Sequence, residues 1–276
     1  MPSLFGHRLS WPAAIGLLII AVNLAAAIFA PWIAPYDQAD IVGDAWDDPS
    51  LAHPLGLDNL GRDLLTRLLF GARMSIGLSL LITTASFSIG IVTGFTAAVA
   101  KGWVDMALSR FVDLLLSMPT LIFAFIILSV LGTSLPVLVI TLACLDATRV
   151  FRLSRALALG IAALDYVEVA RLRGEGLGWI IRREILPAAS APLIAEFGLR
   201  FSFAFLFVAA LSFLGLGVQP PDADWGSMVR DYRDMINLDV AAPLWPAAAI
   251  AMLTIGVNFV VDWLLAIQSR GHGENA

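Results

Sequence analysis

Of the 276 residues, 59% are hydrophobic and only 14% are charged, which is more apolar surface than a soluble domain of this length buries. The composition therefore excludes an ordinary soluble enzyme and indicates a membrane protein with several spans. The acidic balance, a net charge of −5 with a pI near 5.1, argues against nucleic acid as a partner. The single cysteine, Cys144, excludes a disulfide framework and a cysteine-based metal cluster.

Six apolar runs approach the roughly 20 residues that a membrane-spanning helix needs. They are Trp11–Pro31, Ser75–Ala98, Leu114–Leu131, Leu135–Val150, Leu193–Leu216 and Trp245–Ile267. The first run lacks a clear cleavage pattern, so we expect a retained anchor helix rather than a signal peptide. The dipeptide Met118-Pro119 predicts a kink where the third run begins.

The lysines and arginines near the ends of these runs predict the orientation, because basic residues concentrate on the cytosolic side. With the N-terminus inside, eleven lie in the cytosol: Arg8, Lys101, Arg110, Arg149, Arg152, Arg155, Arg171, Arg173, Arg182, Arg183 and Arg270. Five lie outside: Arg62, Arg67, Arg73, Arg230 and Arg233. Both termini and the polar stretch 165–187 are then predicted to be cytosolic.

That polar stretch interrupts two long apolar runs. Asp165 followed by Glu168 is a capping-box pattern that starts a helix. Gly174 supplies the positive φ that ends the helix. A second short helix over 177–184 would follow, and Pro187 suits the first turn of the next helix because its missing N–H costs nothing there. The sequence thus predicts a short helix-turn-helix that projects from the membrane.

The same stretch resembles the coupling loop of ABC-importer permease subunits. That family places Glu-Ala-Ala, a Gly six residues after the Glu, and a closing Leu-Pro, whereas Val169 here replaces the middle Ala. In the family this loop is a short helix that sits in a cleft of a cytosolic ATPase subunit; an ordinary cytosolic loop is the alternative. The resemblance implies these ATPase-coupling residues: Asp165, Tyr166, Glu168, Ala170, Gly174, Leu186 and Pro187.

A second, denser match precedes the second span. The run from His53 to Asp63 resembles the entry sequence of the second permease subunit in the dipeptide/oligopeptide/nickel subfamily. The glycines, the proline and Asp-Asn predict consecutive turns, and Asp63 is predicted to cap a helix over 64–70. The motif either fixes the shape of the external loop or contacts a docked binding protein. Its candidate residues are His53, Pro54, Gly56, Asp58, Gly61, Arg62 and Asp63.

Charged and special residues inside the spans are candidates for the path or its gate. Glu196 and Arg200 are four apart, so they face one another near the predicted cytosolic end of the fifth span. A proton relay is the weaker alternative, because no histidine or second acid accompanies them. Pro119 could line the path or simply allow packing. Trp225 is predicted either to contact substrate or binding protein, or to anchor at the membrane interface.

Two further patterns bear on ligands. Asp146 and Arg149 lie three apart where related sequences usually carry Trp and then Tyr-Ala-Arg, a departure that leaves the substrate open. A metal site on the acidic external loop is conceivable from four carboxylates, but no histidine or rigid scaffold accompanies them, so we expect a solvated loop and no metal site. Those carboxylates are Asp40, Asp44, Asp47 and Asp48.

The resemblance covers most of the chain, from His53 to Asp262. It implies an all-α fold: an N-terminal anchor helix and a five-helix ABC-importer type I core, six membrane helices in all. The expected parts are a tail and anchor (1–34), an extracytoplasmic loop (35–72), the core (73–268) and a cytosolic tail (269–276).

The resemblance further implies a non-enzymatic permease subunit in the bacterial inner membrane. Its expected partners are a sister permease in a heterodimer, two cytosolic ATPases and an extracytoplasmic solute-binding protein. The sequence has no Gly-rich phosphate loop ending in Lys-Ser/Thr, so we expect no cofactor in this chain and ATP on the partner subunits. Di- or oligopeptides are the expected substrate. Nickel or another small solute remains the alternative, and a secondary transporter is a further one.

Overall fold

The computed structural model describes residues 3–4, 7–8, 10–238 and 241–273, with side chains over 10–237 and 241–267. The side chains of Arg8 and Arg270, which the orientation prediction counts as cytosolic, therefore lie outside the described residues. The all-α prediction is confirmed. The helices are α1 (Trp11–Ile33), α2 (Leu64–Ala100), α3 (Gly102–Leu116), α4 (Thr120–Leu131), α5 (Leu135–Ile161), α6 (Asp165–Leu172), α7 (Leu177–Ile180), α8 (Leu186–Phe213), α9 (Trp225–Tyr232) and α10 (Leu244–Gly273). A π-helical turn (Ile181–Ile185), a 3₁₀-helix (Arg233–Leu238) and a short antiparallel strand pair, β1 (Ser3–Leu4) and β2 (His7–Arg8), complete the described elements.

The predicted anchor helix α1 is an integral part of the bundle. Its buried face consists mainly of small residues, and it packs against α10 and α2. The contact with α10 is close, because a Cβ on Gly16 would lie 2.5 Å from the Gly256 carbonyl oxygen. Small residues allow such approach between helices in a membrane, where no hydrophobic effect drives them together.

Helix α2 joins two elements that the sequence predicts separately. The helix expected over 64–70 continues without a break into the predicted second span, giving one helix of 37 residues. The predicted cap is confirmed: Asp63 accepts a hydrogen bond from the Thr66 amide at 2.7 Å. Gly90 and Gly94 lie against α5 and allow the two helices to approach closely, whereas Gly77 faces open space.

The predicted third span, Leu114–Leu131, is wrong as a single helix. The chain breaks at Ser117–Pro119, and α3 and α4 meet at 87°. The kink expected at Met118-Pro119 is thus confirmed, and it separates two helices instead of bending one. Asp113 near the end of α3 pairs with Arg152 of α5 at 2.7 Å.

Within the described residues, four helices are long and apolar enough to cross a membrane, and the bent α3–α4 pair would make a fifth. Helix α5 contains the predicted fourth span but continues to Ile161 and carries several charges. The structure therefore supports a polytopic membrane bundle but does not confirm the predicted number of six spans.

The long helix α2 defines two ends of the bundle. Its first residues pack with α9 in a core that includes Leu64, Trp225 and Tyr232. Its last residues pack with α6 and α7 in a second core that includes Phe95 and Val167. A 37-residue helix is about 55 Å long. We call the α9 side, with residues 34–63, the loop end, and the side with α6 and α7 the hairpin end.

Candidate coupling and translocation sites

The hairpin end is built around α6. The helix begins at Asp165 as predicted, but the capping-box prediction is wrong, because Leu164 occupies the cap and no side chain bonds there. Asp165 and Glu168 lie instead in the first turn, where the helix dipole favours negative charge. The predicted stop is confirmed: Gly174 has φ +84°, and the Glu175 amide donates to the Ala170 carbonyl oxygen at 3.2 Å. This is a Schellman-type ending.

The second half of the hairpin differs from the prediction. Helix α7 passes through the π-helical turn into α8, so no break separates the expected short helix from the next span. The Leu186 amide donates to the Ile181 carbonyl oxygen, and Pro187 follows as the second residue of α8. The π-helical turn, which is wider than an α-helical turn, therefore ends two residues before Pro187, which has no backbone N–H. As a result, the hairpin continues without a break into a long helix of the bundle.

Helix α6 has two apolar faces. The inner face, with Val167 fully buried and Ala170 3% exposed, packs into the core shared with α2 and α5. The outer face carries Tyr166, Val169 and Leu172, which are 44%, 43% and 82% exposed. These three residues follow one another at i, i+3 spacing and so form one stripe. We call them the outer stripe; nothing in the described chain covers it.

The loop end is organised by Asp58, which is fully buried. Its carboxylate pairs with Arg62 at 2.7 Å and with Arg67 at 3.3 Å, and it accepts a hydrogen bond from the Tyr232 hydroxyl at 3.3 Å. It also accepts backbone amides of Leu60 and Arg62. One acid thus joins the motif to the start of α2 and to the distant helix α9. From the sequence, Arg67 was counted only for the orientation and Tyr232 was not noted, because no local spacing links either residue to Asp58.

The remaining motif residues shape the same loop. His53 Nδ1 lies 3.0 Å from the Asp63 carboxylate, which also caps α2. Gly56 and Gly61 have φ of +79° and +76°, a conformation that favours glycine. A Cβ on Gly61 would overlap the Gly43 carbonyl oxygen. Of the two roles predicted for this motif, these contacts support the fixing of loop shape; contact with a binding protein stays a prediction.

Trp225 lies in neither of the environments predicted for it. Its side chain is 2% exposed, and its indole N–H donates to the Leu68 carbonyl oxygen at 2.9 Å. In this conformation the ring reaches neither a substrate nor the headgroup layer, because it fills the core between α2 and α9. The preceding Asp224 caps α9 by accepting the Ser227 amide, and it accepts the Ser75 hydroxyl at 2.8 Å. Burial raises the pKa of the Asp224 carboxyl above its usual value, although these hydrogen bonds act in the opposite direction.

The predicted pair of Glu196 and Arg200 is present, with Arg200 Nε 2.6 Å from the Glu196 carboxylate. The two residues lie near the middle of the continuous 37-residue helix Leu177–Phe213, which begins in the hairpin; their place near the cytosolic end of the membrane span stays a prediction. A third member, Asp146 of α5, was noted from the sequence but not connected to them; its carboxylate lies 3.7 Å from both Arg200 and Arg149. In the sequence, the three-residue spacing of Asp146 and Arg149 indicated that these two could pair. It gave no indication that Asp146 would also meet Arg200 of α8.

Asp146, Arg149 and Arg200 line a cavity of about 280 Å³ between α2, α5 and α8, whereas Glu196 does not line it. Its other walls are mainly apolar. Pro119 is exposed and occupies the N-cap position before α4, and it does not line this cavity. The next residue, Thr120, is the first residue of α4 and does line the cavity. Among the described residues no group of three His, Cys, Asp or Glu side chains could hold a metal ion, so the alternative of a metal site on the acidic loop gains no support.

Comparison with known proteins identifies the family. Residues 90–272 match the family described as binding-protein-dependent transport system inner membrane component, and residues 8–54 match the N-terminal TM domain of oligopeptide transport permease C. The di/tripeptide transport system permease protein DppC of Pseudomonas aeruginosa is 37% identical over 256 residues, covering 90% of this chain and 84% of that protein. The dipeptide permease DppC of Escherichia coli is 36% identical over 259 residues, covering 91% and 86%.

Two further matches broaden the comparison. The glutathione transport system permease protein GsiD of Pectobacterium atrosepticum is 31% identical over 249 residues, covering 90% of this chain and 83% of that protein. The crystal structure of an amino acid ABC transporter with histidines aligns with a TM-score of 0.52 at 19% identity, covering 74% of this chain and 94% of that chain. The structural match supports the fold alone. The chain belongs to the binding-protein-dependent transport system inner membrane components and is a DppC-like permease subunit of an ABC importer.

Proposed function

We propose that this chain forms half of the translocation path of a bacterial importer for short peptides. The other half is a sister permease, and the complex includes two cytosolic ATPases and an extracytoplasmic binding protein that delivers the peptide. The single observation that carries the coupling role is the outer stripe of α6, an apolar surface on a rigid element that the described chain leaves uncovered. The peptide class is supported by relatives named for dipeptides, di/tripeptides and glutathione.

The outer stripe fits a cleft of an ATPase subunit. Exposed apolar patches next to charged residues mark protein interfaces. Here Leu172, at 82% exposure, lies between Arg171 and Arg173, and exposed Glu168 lies beside Val169. One nitrogen of the Arg171 guanidinium is also buried without a hydrogen-bond partner among the described residues. ATP is bound by the ATPases, so the permease contributes the docking element and not the nucleotide chemistry.

The connection from the hairpin to the path runs through α8. Because α7, the π-helical turn and α8 form one continuous helix, a displacement of the hairpin moves the segment that carries Glu196 and Arg200. The inner face of α6 is packed into the same core, which prevents the hairpin from moving alone. Coupling requires an element with two arrangements that both sites bias. In this proposal closure of the ATPase dimer displaces the hairpin, and α8 changes access to the path.

This assignment sets the orientation. If the hairpin docks on cytosolic ATPases, the hairpin end is cytosolic, the loop end is extracytoplasmic, and both termini are cytosolic. The excess of basic residues on the hairpin side agrees with that arrangement. The loop end then presents its surface to the binding protein.

The test is co-purification of the tagged subunit, co-expressed with its sister permease and ATPases, from mild detergent. We expect Leu172→Asp and Glu168→Arg to lose the ATPases while the sister permease stays bound. Leu51→Asp is the matched control, because Leu51 is also fully exposed but lies on the other end of the molecule. Retention of the ATPases by both hairpin variants would contradict the coupling role.

A further inference from the structure

The cavity between α5 and α8 is lined by Asp146, Arg149 and Arg200, and Glu196, which pairs with Arg200, completes a cluster of two acids and two bases. Asp146 and Arg149 come from α5, and Glu196 and Arg200 come from α8. The four formal charges therefore sum to zero. Charged side chains in a membrane bundle are costly and mark functional sites by default, so a purely incidental cluster at this depth is a poor explanation.

The ion pairs in this cluster are unequal. Arg200 Nε holds Glu196 at 2.6 Å, which is a full hydrogen bond. Asp146 Oδ1, in contrast, lies 3.7 Å from Arg149 Nη1 and 3.7 Å from Arg200 Nη1, too far for a hydrogen bond with either. The other oxygen of Asp146 accepts the Ser86 hydroxyl at 3.2 Å, which holds the carboxylate in place.

Purely structural ion pairs elsewhere in the chain are closer. Arg62 lies 2.7 Å from Asp58 at the loop end, and Arg152 lies 2.7 Å from Asp113 on the surface. The loose geometry at Asp146 thus leaves one carboxylate oxygen able to accept a donor from a ligand. Arg149 is equally available, because its side chain is 40% exposed and only Nη2 is engaged, at 3.0 Å from the Thr120 hydroxyl.

The walls of the cavity fit a small solute that has charged ends and an apolar body. Around the charges lie Ile82, Leu142, Phe203 and Phe207, and the volume is about 280 Å³. Small-molecule sites combine such apolar walls with a few convergent polar groups. A ligand that carries both an ammonium and a carboxylate could replace the loose internal pairs without leaving a net charge on the four-residue cluster, whereas a ligand of one sign could not.

We infer that this cavity is a binding station for a zwitterionic peptide, with Asp146 receiving the free ammonium and Arg149 the free carboxylate. The inference rests on the proposed function and adds to it the chemistry by which the permease, and not only the binding protein, recognises the peptide. Arginine suits the carboxylate because its planar fork can bond both oxygens.

The first experiment uses the complete complex in liposomes with ATP inside, its binding protein outside, and radiolabelled Ala-Phe as the probe. At saturating loaded binding protein, we expect Asp146→Asn to lower uptake about tenfold or more, since a charge-assisted hydrogen bond is lost. Peptide-stimulated ATP hydrolysis should stay within about twofold, and Asp146→Glu should recover uptake. Asp113→Asn, which breaks the exposed pair with Arg152, is the matched control.

A second measurement locates the site directly. Alanyl-benzoylphenylalanine, a photoreactive dipeptide, should crosslink to segments of α5 or α8 around the cavity in wild type and Asp113→Asn, but not in Asp146→Asn. Unchanged uptake in Asp146→Asn, equal loss of uptake and ATP hydrolysis, or crosslinks confined to other helices would each overturn the inference while leaving peptide import intact. A wild-type complex that imports no Ala-Phe would overturn the proposed function as well.

Discussion

The two ends of the bundle differ in how their charged side chains are paired and in how their short helices expose apolar residues. At the loop end the acids are buried and bonded: Asp58 binds two arginines and a tyrosine, and Asp224 binds two serines. At the hairpin end an apolar stripe is exposed and an Arg171 nitrogen lacks a partner among the described residues. The loop end thus pairs its buried acids within this chain, although Asn59 Oδ1 and Thr66 Oγ1 also lack a partner among the described residues, whereas the hairpin end exposes an apolar stripe on a helix.

The difference teaches how to interpret the two sequence motifs. The denser match, around His53 to Asp63, consists largely of residues that hold the loop in shape. The sparser match, around Glu168 and Gly174, consists of a helix whose outer residues touch nothing in the described chain. The number of matching residues in a motif thus reflects how many contacts a conformation needs and does not rank its importance for partners.

The largest expected effect comes from Asp58→Asn, which tests whether the loop end is held by its buried acid. The change leaves the guanidiniums of Arg62 and Arg67, 7% and 3% exposed, without the acid that pairs with both. Breaking a buried ion pair costs about 3–5 kcal/mol. Hydrogen–deuterium exchange of amides over 57–67 should report that loss. Exposed Asp48→Asn is the control, and equal protection in the two variants would remove the basis of the comparison.

A smaller effect distinguishes two glycines of positive φ. Gly61→Ala should lose about 3 kcal/mol of local stability, because it combines the left-handed backbone penalty with overlap on the Gly43 carbonyl. Gly174→Ala should lose only about 1–2 kcal/mol, since φ is +84° but no atom lies within 4 Å of the added Cβ. Exchange protection over 57–63 and 165–175 measures both. The reverse order of losses would mean that the hairpin is the more tightly packed end.

The smallest effect is a pH dependence at the loop end. Because burial raises the pKa of the Asp224 carboxyl above its ordinary value of 3.8, the folded loop end keeps this proton at pH values where the unfolded chain has lost it. The contribution to stability is therefore full at low pH and falls as pH rises through the raised pKa, by at most about 1.4 kcal/mol per pH unit. Asp224→Asn should flatten this dependence, as followed by exchange protection of α9, while Asp234→Asn, which is exposed, should not.

Several features followed from short stretches of sequence. The start of α1, the cap at Asp63, the break near Pro119 and the positive φ of Gly174 are confirmed. Each depends on a residue and its neighbours within about one helical turn, where backbone sterics and local hydrogen bonds dominate. The failed capping box at Asp165 shows the limit of this rule, because the helix begins one residue too early for the carboxylate to act as the cap.

The sites themselves required the tertiary structure. Asp58 and Tyr232 are 174 positions apart, and Asp146 meets Arg200 only because α5 packs on α8. Trp225 was predicted to be a contact or anchor residue but is buried in a core. An aromatic residue between two spans is compatible with either environment until its neighbours are known.

The sequence by itself determined the class of protein, the α-helical fold and the family, because apolar run length, turn residues and motif spacing are local properties of the chain. Only the tertiary structure decided which charges share a cavity, which motif is satisfied internally and which helix face remains open. Those outcomes depend on packing between helices distant in sequence, and no periodicity within one helix encodes the partner it meets.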